Sequence, residues 1–155
     1  GYTTCHWHTM RQMNILFDRS GRLTALKTKS QVDYPEPLRK NIIEKNRPLL
    51  HTAIPAYTNQ LKKAISRHDL VSITHRFAEY LASYFDILFA LNRIPHPGEK
   101  RLIPFAVDHC QKLPQGFETD LTALLSWPGA ADKAWLERLD HLNQAMDALL
   151  GENGF

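Results

Sequence analysis

None of the seven glycines, at positions 1, 21, 98, 116, 129, 151 and 154, falls between Ser30 and Pro97. Glycine is costly inside a helix and useful where the chain must turn sharply. A long region without it, punctuated only by Pro35, Pro37, Pro48 and Pro55, predicts consecutive helices rather than a sheet with tight turns. The predicted helices run from Pro37 to Lys45, Pro48 to Arg67, Leu70 to Arg93, Glu99 to Gln111, Glu118 to Ser126 and Ala131 to Leu150. Asp69 is the expected N-cap of the third and Gly151 the expected residue beyond the end of the last. Before Pro35 the pattern changes. Asn14-Ile-Leu-Phe-Asp18 followed by Arg19-Ser-Gly21 reads as a short strand and a turn. The fold class is therefore all-α: an antiparallel bundle of five to six helices behind an N-terminal strand or extended segment, with residues 1–33 as that segment and 34–155 as the bundle.

The third helix constrains the core most. Leu70, Ile73, Phe77, Leu81, Tyr84, Leu88 and Leu91 recur at three- and four-residue spacing. Tyr80, Phe85, Ile87, Phe89 and Ile94 widen the apolar surface well beyond one stripe, so this helix should be contacted on several sides. The last helix carries a narrower stripe of Trp135, Leu139, Leu142, Met146 and Leu149.

Length and charge exclude several classes. The chain has 155 residues, enough for one domain with a sizeable core. A formal charge of +3 is too small to mark a nucleic-acid binder. The most hydrophobic run, Tyr80 to Leu91, contains Asp86, so no membrane span is expected, and the two cysteines suggest no disulfide framework. A cytoplasmic location follows as the expectation. The opening GYTTCHWHTM lacks an initiator Met and any signal-peptide pattern, which suggests the latter part of a longer polypeptide.

Candidate site residues lie along the third helix and just past it. Arg76, Glu79, Ser83, Asp86 and Arg93 form one narrow polar strip on an otherwise apolar rod. The strip is either the solvated edge of the helix, with Arg76 and Glu79 as an intrahelical pair, or the wall of a groove. In a groove, Glu79 and Asp86 would bind a cationic or hydroxylated substrate or act as general base. Asn92 and a Pro-flanked turn with His96 follow, then Lys100 and Arg101 at the start of a predicted helix. Cations are disfavoured at that end unless they hold a phosphate or an acidic partner. Arg76, Glu79, Asp86, Asn92, His96, Lys100 and Arg101 are the predicted substrate-binding set, and Asp86 and Lys100 are expected to border one cleft. Cys5, His6 and His8 cluster too weakly to assign a metal, and no standard catalytic or phosphate-loop motif occurs.

The succession ILFDRSGRLTALK, DYPEPLRKNIIEKN and HRFAEYLASYFDILFALNRIPHPGEKRL, from about Asn14 to Leu125, resembles the C-terminal half of bacterial nucleotidyltransferase-domain proteins. These are relatives of the aminoglycoside nucleotidyltransferases in the polymerase-β-like superfamily, and the most specific part is LFALNRIPHPGEKR. The resemblance implies a helical domain that closes the substrate side of a cleft, beside an α/β catalytic domain holding Mg²⁺ and a nucleoside triphosphate, and often self-associating as a dimer. ILFDRSG resembles the closing strand of that catalytic domain. The Gly-Ser loop and Asp-x-Asp pair that hold the metals in the family have no counterpart here, so no catalytic residue, metal or cofactor is carried over to this chain. An acid of the helical domain serves as general base in the aminoglycoside enzymes, which is the role open to Glu79 or Asp86. Lys100 and Arg101 could face the nucleotide phosphates. The alternative is a stand-alone bundle that dimerises or docks a protein partner.

Overall fold

The computed structural model describes residues 3–127 and 130–155. Among these residues there are eight helices and no strand. They are α1 (Cys5–Gln12), α2 (Arg22–Ser30), α3 (Glu36–His51), α4 (Tyr57–Ser66), α5 (Leu70–Leu91), α6 (Leu102–His109), α7 (Phe117–Leu125) and α8 (Lys133–Glu152). The all-helical class holds, whereas the N-terminal strand does not. Asn14 to Asp18 is an irregular link between two helices the sequence did not announce, with Leu16 and Phe17 exposed. A strand persists only when its backbone groups meet a ladder, and no second strand among the described residues supplies one.

The central helix is α5. From Tyr80 to Leu91 every residue except Leu81 is buried, as the widened apolar surface predicts, and α5 packs chiefly against α3 and α4. Asp69 caps it, accepting from the Ser72 backbone N–H at 3.1 Å and the Ser72 hydroxyl at 2.7 Å. The predicted stripe of α8 is buried as well: Trp135, Leu139, Leu142, Met146 and Leu149.

Three helix boundaries differ from the sequence expectation. Pro48 does not open a helix; α3 runs through it and stops at His51. A proline near the end of a helix forfeits one backbone bond, and here the real break falls at Thr52 to Ala56, around Pro55. The helix expected from Glu99 begins at Leu102, because Arg101 is left-handed and Pro104 suits a first turn, where backbone N–H groups have no intrahelical acceptor. Gly151 lies inside α8, and Gly154, at φ 81°, supplies the left-handed residue after the helix. The break expected at Pro128 and Gly129 lies outside the described residues, as does Gly1.

A buried polar chain ties four helices together, α5, α8, α4 and α3. The Tyr80 hydroxyl donates to Asn143 Oδ1 at 2.9 Å, Asn143 Nδ2 donates to Thr58 Oγ1 at 3.3 Å, and Thr58 Oγ1 donates to the Leu50 carbonyl at 2.8 Å. Removing one member leaves its neighbour unpaired in the interior, where desolvation is no longer compensated. Tyr80→Phe is therefore expected to lower stability by about 1 to 2 kcal/mol in urea titration, with an unchanged m-value.

Candidate binding site

The connection from α5 to α6 carries most of the predicted site residues, and it separates an inner polar cluster from an outer cleft. The inner cluster begins with Asp86. A carboxylate at 3% exposure on an apolar helix needs donors, and the chain's N-terminus delivers them. The Thr3 hydroxyl donates to Asp86 Oδ2 at 2.6 Å, and the Thr3 backbone N–H reaches Oδ1 at 3.1 Å and Oδ2 at 3.3 Å. Next to it the backbone N–H of His96 donates to Thr4 Oγ1 at 2.7 Å. The His96 ring is wholly buried, edge-on to Phe89 with centroids 4.9 Å apart, and its Nδ1 accepts from the Gly98 N–H at 3.0 Å. Nδ1 is therefore the unprotonated nitrogen. Burial pulls the imidazole down to about 4, against the opposing pull of the Asp86 carboxylate, so His96 is neutral at pH 7.

Two aromatic groups close the cluster. Trp7 lies 5.2 Å from Tyr34, centroid to centroid, and donates its indole N–H to the Ser30 carbonyl at 2.7 Å. Burial pushes the Tyr34 phenol up to about 12, with the Thr4 hydroxyl opposing and the Asp86 carboxylate adding to the rise. From α1, His8 Nδ1 donates to the Pro95 carbonyl at 3.1 Å, and burial lowers its pKa. The N-terminal segment is thus strapped onto the end of α5 and the Pro-flanked turn.

The outer cleft lies between α5 and the first turn of α6, where Leu102, Ile103 and Pro104 line it. Its volume is about 360 Å³, and its floor is Ala78, Leu81, Ala82 and Phe85 of α5, with Glu99 and Arg101 at its polar edge. Arg101 is exposed and holds φ 55°, a left-handed conformation that costs an L-residue about 1 to 2 kcal/mol. Past Ala78 and Leu81 the cleft continues into an apolar furrow of about 570 Å³ that reaches Leu70, Phe77 and Trp135. Leu70, 66% exposed, stands at that far end.

The predicted site residues separate accordingly. Asp86 and His96 meet in the inner cluster, and Arg101 lines the outer cleft. Lys100 and Glu79 are exposed, so Asp86 and Lys100 do not share one open wall. The Asn92 amide is engaged within the fold: Nδ2 donates to the Leu88 and Lys112 carbonyls, and Oδ1 accepts from the Lys112 N–H, so it pins the α6–α7 connection to α5. Arg76 is half-buried and forms no ion pair with Glu79 among the described residues; Arg93 turns back at φ 56° to meet Glu36 at 2.9 Å. Thr3, Thr4 and Tyr34 were not foreseen. The only sequence signal for them was indirect: an acid inside the apolar run Tyr80 to Leu91, which demands donors from elsewhere in the chain.

No group of three or more His, Cys, Asp or Glu side chains that could hold a metal ion occurs among the described residues. No described helix is long and apolar enough to cross a membrane. No curated protein and no solved structure matches the chain. Residues 4–102 do match a family, and the match takes in the strap from Thr4, all of α1 to α5 and the turn through His96 and Arg101. With well over half its length inside that match, the chain belongs to the family described as a domain of unknown function (DUF4037).

Proposed function

We propose that this chain is the helical substrate-binding module of a nucleotidyltransferase-like protein, and that its acceptor substrate enters the cleft beneath Arg101. The observation that carries the reading is Arg101 itself, an exposed cation kept in a strained left-handed conformation at the edge of a cleft with an apolar floor. Strain of that kind persists where the surrounding structure enforces it, and it concentrates at binding sites. The resemblance of LFALNRIPHPGEKR to the helical half of the aminoglycoside enzymes adds the substrate class. Nucleotide and Mg²⁺ belong, in this reading, to a separate catalytic domain, because the described residues of this chain offer no carboxylate cluster to hold the metal. A general-base role falls to exposed Glu79, since Asp86 is engaged by Thr3 in the interior.

The cleft is tested by titrating the chain with an aminoglycoside and, separately, with Mg-ATP, following backbone amides by NMR. The expected result is that the aminoglycoside shifts Glu99, Arg101 and Ile103. Glu99→Gln, at the same polar edge, separates binding from folding. It removes the carboxylate that would meet the aminoglycoside's ammonium groups and, at an exposed position, leaves the core alone, so it should abolish those shifts with stability unchanged. Shifts that survive the substitution would sink the assignment. A second reading, docking of a protein partner, is favoured by the furrow that extends the cleft to exposed Leu70. It gains if neither small molecule perturbs the cleft.

A further inference from the structure

A second site stands apart from the connection just described, between α3 and the C-terminal turn. Arg39 is 7% exposed, unusual for a guanidinium, and its neighbours satisfy only part of it. Nη1 donates to Glu36 Oε1 at 2.7 Å. The Phe155 ring lies against the guanidinium, 4.6 Å from its carbon. Nε is buried and donates to no acceptor, and Nη2 makes no hydrogen bond among the described residues. The Nε–Nη2 edge of an arginine is the fork that meets a carboxylate or phosphate in two parallel hydrogen bonds. A buried N–H left unmade costs about 1 to 3 kcal/mol. That makes the edge a place where an incoming acceptor gains more than it would at a solvated arginine.

The surroundings suit an anion with an organic body. Arg39 lines a cleft of about 550 Å³ together with Lys40, Ile43, Arg47 and Phe155. Ile43 and the Phe155 ring give it apolar walls, and Lys40 is an exposed cation at its rim. The acids nearby do not cancel the charge. Glu44 stands one turn from Lys40 and Asp147 pairs with Arg47 at 2.9 Å, but Glu36 is shared between Arg39 and Arg93, which leaves that trio with one net positive charge.

We propose that this cleft binds a small organic anion, its carboxylate or phosphate on the Nε–Nη2 edge of Arg39 and its apolar body against Ile43 and Phe155. The site is independent of the Arg101 cleft. A buried Nε–H is readily followed by proton–nitrogen NMR, and the Arg39 resonance is identified by its loss in Arg39→Lys. The whole chain is titrated with phenyl phosphate, benzoate and inorganic phosphate. Phenyl phosphate, benzoate or both should shift the Arg39 Nε–H and the Phe155 ring signals, with inorganic phosphate binding at least tenfold more weakly for want of an apolar body; which organic probe binds tighter identifies the headgroup. Arg39→Lys keeps the charge and loses the fork, so it should weaken binding at least tenfold. Lys40→Gln, at an exposed position that leaves the core alone, should weaken it severalfold and keeps the test valid if Arg39→Lys folds poorly. No shift of the Arg39 signal with any probe, unchanged affinity in Lys40→Gln, or equal affinity for inorganic phosphate would each overturn the proposal.

Discussion

Between pH 6.5 and pH 4 the protein is expected to lose about 2 to 3 kcal/mol of stability through His96 alone. The sign follows from proton counting. The unfolded imidazole titrates near 6.5, whereas burial holds the folded one near 4, so in that window the unfolded chain binds the extra proton and acid favours unfolding. Above pH 6.5 both states are neutral and the contribution is complete. Among the described residues, two titratable groups act on His96: Asp86 from α5, which favours the protonated ring and moderates the loss, and His8 from α1, whose lowered pKa gives a smaller loss of the same sign. Carboxylates with depressed pKa values, such as Glu36 beside Arg39, add a loss only at the acid end of this window and below it, because their stabilisation starts to disappear as pH falls past the ordinary carboxylate value of 4.5. The measurement is urea unfolding at half-unit steps of pH. His96→Asn places an amide oxygen where Nδ1 accepts from the Gly98 N–H but does not titrate, so most of the slope between pH 6.5 and 4 should vanish. A variant with the parental slope there would show that another group is responsible.

The inner cluster also shows how much could be read from residues alone. The spacing of Leu70 to Leu91 identified the central helix and its N-cap, because hydrophobic period and capping are local properties written in adjacent residues. The wide apolar surface gave its burial as well. Asp86 was legible as an anomaly, but its partners were not, since Thr3 lies 83 residues away and nothing local marks a threonine near a chain's start as a donor to the core. The same separation hid α1 and α2. Their mean apolar content is low, neither buries a residue fully, and α1 is held by single contacts such as Trp7 to Tyr34 and His8 to Pro95. Asn14 to Asp18 reads as a strand because a short apolar run before a turn signal expresses a residue's preference, while pairing depends on a partner. Arg39 was unremarkable in sequence, an arginine in the first turn of a helix after two prolines. Only the return of the C-terminal turn to α3 buries it.

Asp86→Ala should release the N-terminal strap and cost about 3 kcal/mol of stability. The size follows from the bonds. Thr3 gives the carboxylate a hydroxyl at 2.6 Å and a backbone N–H in contact with both oxygens, and hydrogen bonds to a charged acceptor contribute about 1.5 to 3 kcal/mol each. Part of that is returned because the variant no longer buries a charge, and because Thr3 is itself exposed and can turn to water. The effect should be local before it is global. Hydrogen exchange of the α1 amides, Cys5 to Gln12, is expected to accelerate in Asp86→Ala under conditions where the Tyr80 to Leu91 amides stay protected, since α5 is held by α3 and α4 rather than by the strap. Thr3→Ala removes the hydroxyl but keeps the backbone N–H and should cost less, about 1.5 kcal/mol. Freed of the strap, His96 would meet water; relief of its burial, the larger influence, outweighs the lost pull of the Asp86 carboxylate, so its pKa should climb toward 6.5 and flatten the acid slope described above. The two measurements therefore constrain one another. If Asp86→Ala loses the α1 protection yet retains the full pH dependence, His96 is shielded by the α5–α6 turn and Phe89, and the strap is an anchor for α1 alone. If both change together, Thr3, Thr4, Asp86 and His96 form a single cooperative latch between the start of the chain and the end of its central helix.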